Sequence, residues 1–187
     1  MRKAIMFNLI TIDGFFEGSN KWDIGWHQVD DEFNEFAIKQ LGQAGGLIFG
    51  RVTYQGMASY WQSPAAIHDD QEVAGLMNSI PKYVFSKTLD TVDWNNSHLI
   101  KGDATEELIK LKRQAGNDLF IFGSANLSST FIRNGLIDEY RLIVNPIVLG
   151  SGGALFNGLD ETLKLKLLNV KTFGNGNVLL YYQPQGR

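Results

Sequence analysis

Three short segments of this sequence set glycine or serine beside hydroxyl and cationic side chains, each where an apolar run gives way to polar residues: Gly50-Arg51 with Thr53, Ser86-Lys87-Thr88, and Gly123-Ser124-Ala125. Each is suited to holding an anion. A glycine lets backbone approach a phosphate, a threonine supplies a hydroxyl, an arginine supplies a permanent bidentate cation, and a helix N-terminus adds unpaired amides and the positive end of a dipole. Ser86-Lys87-Thr88 suits a second, more exposed phosphate, and the small residues at Gly123-Ser124-Ala125 let a pyrophosphate lie against a helix start. Taken singly, each reads equally as a turn beside a solvated side chain. Three in sequence order suit a dinucleotide with an additional ribose phosphate, so this chemistry favours NADPH over NADH.

The elements that must position these junctions alternate between strand and helix. Residues 4–10 read as a first strand, and the polar, glycine-containing stretch 11–29 is too long for a tight turn, so it reads as a functional loop carrying Glu17, Trp22 and Trp26. Phe33, Phe36, Ala37, Leu41 and Ala44 then recur at helical spacing behind an acidic first turn of Asp30, Asp31 and Glu32. Residues 47–49 form a short buried strand and 52–60 a helix; a second short helix near 69–78 leads to a strand at 83–85. The clearest helix spans 103–114, with Asp103 as cap, Glu106 three residues later, and Gly116 as the stop. A buried strand at 119–122 meets Gly123 and a helix running towards Arg133, and residues 140–144 alternate as a strand. Two last strands, 165–173 and 178–182, are joined by Gly174-Asn175-Gly176-Asn177 as an antiparallel hairpin. The pattern predicts one α/β domain over residues 1–187, with a mostly parallel central sheet and an antiparallel edge.

Composition narrows the function. With 187 residues, 44% of them hydrophobic and 20% charged, the chain has the size and make-up of one globular core. It contains no cysteine, which closes the thiolate and disulfide classes. A net charge of −3 without a basic run argues against nucleic acid as a partner and for a small molecule. No apolar stretch approaches a membrane span, and the start lacks the features of a signal peptide, so the expected location is the cytoplasm. His27, His68 and His98 stand apart with no second ligand at helical spacing, so no metal site is expected.

The order of LITIDG, LIFGRVTY, PKYVFSKTL, IFGSANL, GLIDEY and PIVLGSGGALF resembles the dihydrofolate reductase superfamily, in the branch related to the reductase domain of bacterial riboflavin biosynthesis. The resemblance covers nearly the whole chain. It implies an NADPH-dependent reductase with a three-layer fold around a central sheet of about eight strands, often a homodimer. It matches Gly50, Arg51 and Thr53, then Ser86 and Lys87, then Gly123, Ser124, Ala125 and Asn126 to cofactor-binding positions, beside Thr88 from the anion reading above. On the substrate side it implies an acid soon after a tryptophan to assist protonation: Trp26 is followed by Asp30, Asp31 and Glu32, and spacing favours Asp31. All three acids equally suit the helix dipole. Asp13-Gly14 matches the loop that borders the substrate cleft in the riboflavin-type branch, and Asp13 equally suits a turn. Gly150, Gly152 and Gly153 lack both the P-loop lysine and the last glycine of a dinucleotide fingerprint, so they read as turns.

Three readings of function remain open from sequence. The leading one is an NADPH-dependent reductase acting on a small planar nitrogen heterocycle, pterin- or pyrimidine-like by resemblance. A second is the riboflavin-pathway reductase, acting on a phosphoribosylated aminopyrimidine. A third is a non-catalytic NADPH-binding protein.

Overall fold

In a computed structural model that describes residues 1–186, sixteen elements succeed one another along the chain. In order they are β1 (Ala4–Thr11), β2 (Phe15–Glu17), α1 (Asp31–Leu41), β3 (Gly46–Gly50), α2 (Arg51–Trp61), α3 (Pro64–Asp69), α4 (Gln71–Ser79) and β4 (Lys82–Phe85). There follow β5 (Ser97–Ile100), α5 (Ala104–Arg113), β6 (Leu119–Phe122), α6 (Ala125–Arg133), β7 (Glu139–Asn145), β8 (Gly153–Ala154), β9 (Leu165–Thr172) and β10 (Val178–Pro184).

Eight strands form one sheet in the order β5-β4-β3-β6-β1-β7-β10-β9. The first six run parallel, and β10 joins antiparallel to β7 and β9. The central strands are apolar almost throughout because helices cover both faces: β1, β3 and β6 bury nearly every residue. On one face α1, α2 and α4 press Leu41, Tyr54, Ala58 and Met77 against Phe49 and Phe120. On the other, α5 and α6 bring Leu108, Leu111 and Phe131 against Met6, Ile48 and Ile121. Each fully buried side chain of this size contributes roughly 2 kcal/mol. The predicted α/β sheet with an antiparallel edge is therefore the observed one.

Three local features go beyond the sequence pattern. The stretch 11–29 holds β2, which pairs antiparallel with the two residues of β8 in a separate small sheet. The interval between α2 and β4 carries two helices, α3 capped by Ser63 and α4 capped by Asp70. The edge strand β5 has only four residues, Ser-His-Leu-Ile, too few for a period to show. Among the described residues, no helix is long and apolar enough to cross a membrane.

The helix starts divide into two kinds. Asp30, Ser63, Asp70 and Asp103 each cap a helix with a side-chain oxygen, Asp30 accepting from the Phe33 amide at 2.9 Å. At α2 and α6 the N-cap residues, Gly50 and Ser124, make no side-chain cap bond. These two starts carry first-turn amides that no cap claims.

Candidate functional site

β3 and β6 are neighbours in parallel register, Ile48 opposite Ile121, so their carboxyl ends deliver Gly50 and Gly123 side by side. The chain leaves β6 through Gly123 and Ser124, both left-handed at φ 59° and 56°. This turn swings the Ser124 hydroxyl under α2, where it accepts from the Gly50 amide at 2.8 Å and lies 2.9 Å from Thr53 Oγ1. A Cβ at position 50 would stand 2.6 Å from Ser124 Oγ, so any larger residue there displaces that hydroxyl. Asn8, buried in β1, completes the junction when its amide is turned to satisfy both neighbours. Its oxygen then accepts from the Gly123 amide at 3.2 Å and its nitrogen donates to the Phe7 carbonyl at 3.0 Å.

The two uncapped helix starts open into a cleft of about 650 Å³. Gly50, Arg51, Thr53, Gly123, Ser124 and Asn126 line it at these helix starts. Arg51 is exposed, and among the described residues its guanidinium is bonded only to Gln55 of its own helix, at 3.2 Å. A second set of residues, the roof, lines the same cleft: Phe16 and Glu17 of β2, then Lys21, Trp22 and His27, with Gly153 and Asn157. That roof is tied to the sheet at its base, where Asn145 Oδ1 accepts from the Gln28 amide at 2.8 Å and Asn177 Nδ2 donates to the Gln28 carbonyl at 2.8 Å.

Two sequence anomalies meet at the mouth. Trp22 is a bulky residue at φ 64°, and Gly56 stands inside α2, where glycine costs about 1 kcal/mol against alanine. One contact accounts for Gly56: the six-membered ring of Trp22 rests against it, and any Cβ there would overlap Trp22 Cζ2.

The structure brings only part of the predicted site together. Gly50, Arg51, Thr53, Gly123, Ser124, Ala125 and Asn126 all border the cleft. Ser86, Lys87 and Thr88 do not; Ser86 Oγ accepts from the amides of Thr88 and Leu89 and closes a turn, and only Phe85 of that junction reaches the cleft. Asp13 is engaged elsewhere. Its carboxylate accepts from Thr11 Oγ1 at 2.6 Å and from the amides of Leu149 and Gly150, and these bonds, the Thr11 hydroxyl first, hold its pKa below the ordinary value. Gly14 supplies the left-handed turn after it, at φ 84°. Trp26 is buried, its indole N–H donating to the Asp23 carbonyl, and it touches His27 edge-on. Asp31 is exposed on the first turn of α1, outside the cleft lining, while Asp30 caps that helix and Glu32 accepts from the Gly174 amide.

The structure adds Asn8, Glu17, Lys21, Trp22, His27 and Asn157 to the cleft. For His27 the only sequence signal was its place in an overlong loop. Its Nε2 is buried without a partner, and burial pushes its pKa down to about 4, so the ring is neutral at pH 7. A folded pKa below the unfolded 6.5 means that the unfolded chain binds more protons between those values, so stability falls as pH drops from 6.5 through about 4. His27→Phe removes this term. Thermal melts across pH 3.5–7 are expected to show wild type losing on the order of 2 kcal/mol more than the variant over that window, and parallel curves would refute the assignment.

Parallel strands that end at two unclaimed helix starts over one open cleft define a dihydrofolate-reductase-like α/β protein. Within that class the chain belongs to the family described as the RibD C-terminal domain, whose model matches residues 2–179. It is 35% identical over 187 residues to the uncharacterized protein YyaP of Bacillus subtilis (strain 168), covering 99% of this chain and 96% of the relative. A solved protein from Shewanella sp. PV-4 named for riboflavin biosynthesis superposes with a TM-score of 0.77 at 22% identity, covering 98% of this chain and 99% of that one. Dihydrofolate reductase from Enterococcus faecalis, solved with NADP(H), superposes with a TM-score of 0.63 at 13% identity, covering 98% and 97%. The family read from sequence motifs is thus the family found.

Proposed function

We propose that this chain is an NADPH-dependent reductase that passes hydride to a small planar nitrogen heterocycle. The observation that carries the reading is the pair of uncapped helix starts, α2 at Gly50 and α6 at Ser124, bordering one cleft that Arg51, bonded only to the exposed Gln55 among the described residues, also lines. These residues fit a dinucleotide phosphate: unclaimed amides, a glycine that admits backbone approach, and one permanent cation. Bound NADPH would supply the hydride, and the protein's part is orientation and electrostatics. The Ser124 hydroxyl, bonded to the Gly50 amide and beside Thr53, holds the two helix starts together, and Arg51 would neutralise the extra phosphate. The roof formed by β2 and residues 18–28 shields the reacting end from water.

The substrate end offers little for a second phosphate. Among the described residues two cations border the cleft; Arg51 would serve the cofactor, which leaves Lys21. An uncharged heterocycle suits this end better than a phosphoribosylated one.

Titrating the protein with NADPH and with NADH separately, following cofactor fluorescence, tests the reading. Micromolar binding of NADPH with much weaker binding of NADH is expected. Failure of both to bind overturns it.

A further inference from the structure

Three Asn-Gly pairs occur in the sequence, Asn134-Gly135, Asn157-Gly158 and Asn175-Gly176. A glycine after asparagine carries no side chain to hinder the approach of its amide nitrogen to the asparagine Cγ. In two of the pairs the fold claims that amide, Gly135 donating to the Ile132 carbonyl and Gly176 to the Phe173 carbonyl, both at 3.0 Å. Among the described residues the Gly158 amide meets no acceptor. Asn157 and Gly158 are both exposed, in the loop that follows β8. Two side chains of α6 hold this loop by its carbonyls: Ser129 Oγ donates to the Asn157 carbonyl at 2.9 Å and Arg133 Nη1 to the Gly158 carbonyl at 2.6 Å. Ser129 is itself buried. Asn157 also borders the cleft, and its Nδ2 donates to the Ala154 carbonyl of β8 at 3.2 Å.

We propose that Asn157-Gly158 is a self-modification site, where deamidation of Asn157 places a negative charge on the cleft. The Gly158 amide nitrogen, its proton given up to solvent, attacks Asn157 Cγ; the bond from Cγ to Nδ2 breaks, and Nδ2 leaves as ammonia after taking up a proton from water. Water then opens the five-membered imide to aspartate or isoaspartate, and nothing is oxidised or reduced. The fold assists the first step. The charge that develops on the Gly158 nitrogen is shared with the Asn157 carbonyl oxygen of the same peptide group, which accepts from the Ser129 hydroxyl. The product carboxylate lacks the donor for the Ala154 carbonyl, which loosens β8 and, through the pairing of Ala154 with Phe15, the roof. Among the described residues Glu17 is the one carboxylate on the cleft lining, so a second one there repels an anionic ligand. The modification stands apart from the reductase reading, and only its effect on NADPH rests on that reading.

Trypsin separates the three pairs into peptides 134–141, 142–164 and 172–187, so the test incubates the full chain at pH 8, digests it and maps the peptides by mass. The other asparagine of 142–164, Asn145, precedes Pro146, whose nitrogen has no proton to give up, so a one-dalton gain in that peptide reports Asn157. The gain is expected in 142–164 ahead of both other peptides, and in denaturant the three are expected to gain at similar rates. Ser129→Ala is expected to slow the gain in 142–164 by about three- to tenfold, the worth of one hydrogen bond, and the other two peptides of the same digest report whether the variant is folded. Asn157→Gln, which would have to close a six-membered ring, is expected to keep its mass. A lead by 134–141 or 172–187, an unmodified 142–164, or a folded Ser129→Ala protein that gains as fast as wild type overturns the proposal. Asn157→Asp, the product made directly, is expected to bind NADPH about three- to tenfold more weakly than wild type, and equal affinities refute the effect on the cleft. Wild type that binds no NADPH refutes the reductase reading, while the map of 142–164 decides the modification on its own.

Discussion

Replacing Arg51 with alanine is expected to weaken NADPH by about 10- to 100-fold while leaving NADH within about twofold, because a charge-assisted hydrogen bond contributes about 1.5–3 kcal/mol and only NADPH carries the phosphate that would receive it. The structure makes Arg51 the suitable cation. It is the first residue of α2, it borders the cleft, and among the described residues its one side-chain bond goes to Gln55, an exposed neutral partner it can leave at small cost. Arg51→Lys should recover only part of the loss, since an ammonium cannot pair bidentately with a phosphate. Fluorescence titrations of the three proteins with both cofactors decide the matter. Equal losses for NADPH and NADH would move the extra phosphate away from this residue.

Gly50→Val is expected to have a larger and less selective effect. A Cβ at position 50 meets Ser124 Oγ at 2.6 Å and Ser124 Cβ at 3.1 Å, so Ser124 must move. Moving it breaks its bond with the Gly50 amide and its contact with Thr53, and separates the two helix starts that the hydroxyl holds together. Overpacking and a buried donor left unpaired together cost about 2–4 kcal/mol, which lowers the melting temperature of a chain of this size by roughly 5–15 °C. Both cofactors should then lose affinity alike, by tenfold or more. The contrast with Arg51→Ala is diagnostic: one residue distinguishes the cofactors, and the other builds the place where either binds. A Gly50→Val protein that melts like wild type and binds NADPH normally would refute the shared junction.

Helix α5 shows how far a local pattern can be read. Asp103, the inward Leu108 and Leu111, and the stop near Gly116 predict its extent to within a residue at each end, and the carboxylate of Asp103 does accept from the amides of Thr105 and Glu106. The hairpin of β9 and β10 follows in the same way from alternation and a Gly-Asn turn. β2 and β8 escape such reading because each has only two or three residues and exists through a partner more than 130 positions away. β5 is likewise too short for its own residues to define it.

The cleft divides along the same line. Glycine, hydroxyl and arginine at a strand-to-helix junction are a local signature, so Gly50, Arg51, Thr53 and the Gly123–Asn126 segment were legible in the sequence by themselves, as was the family. Ser86-Lys87-Thr88 carries a similar signature, yet the structure makes it a turn closed by Ser86. The roof was legible only as a functional loop carrying Glu17, Trp22 and Trp26. Glu17, Trp22 and His27 border the cleft only because β2 pairs with β8, Trp22 finds the one place on α2 without a Cβ, and Asn145 at the end of β7 and Asn177 in the turn before β10 fasten Gln28. The chain alone determined where backbone amides and a fixed cation would gather, since neighbouring residues set helix starts and capping. Which carboxylate and which aromatic ring would face them was decided by packing between segments far apart in sequence, and no local period records that.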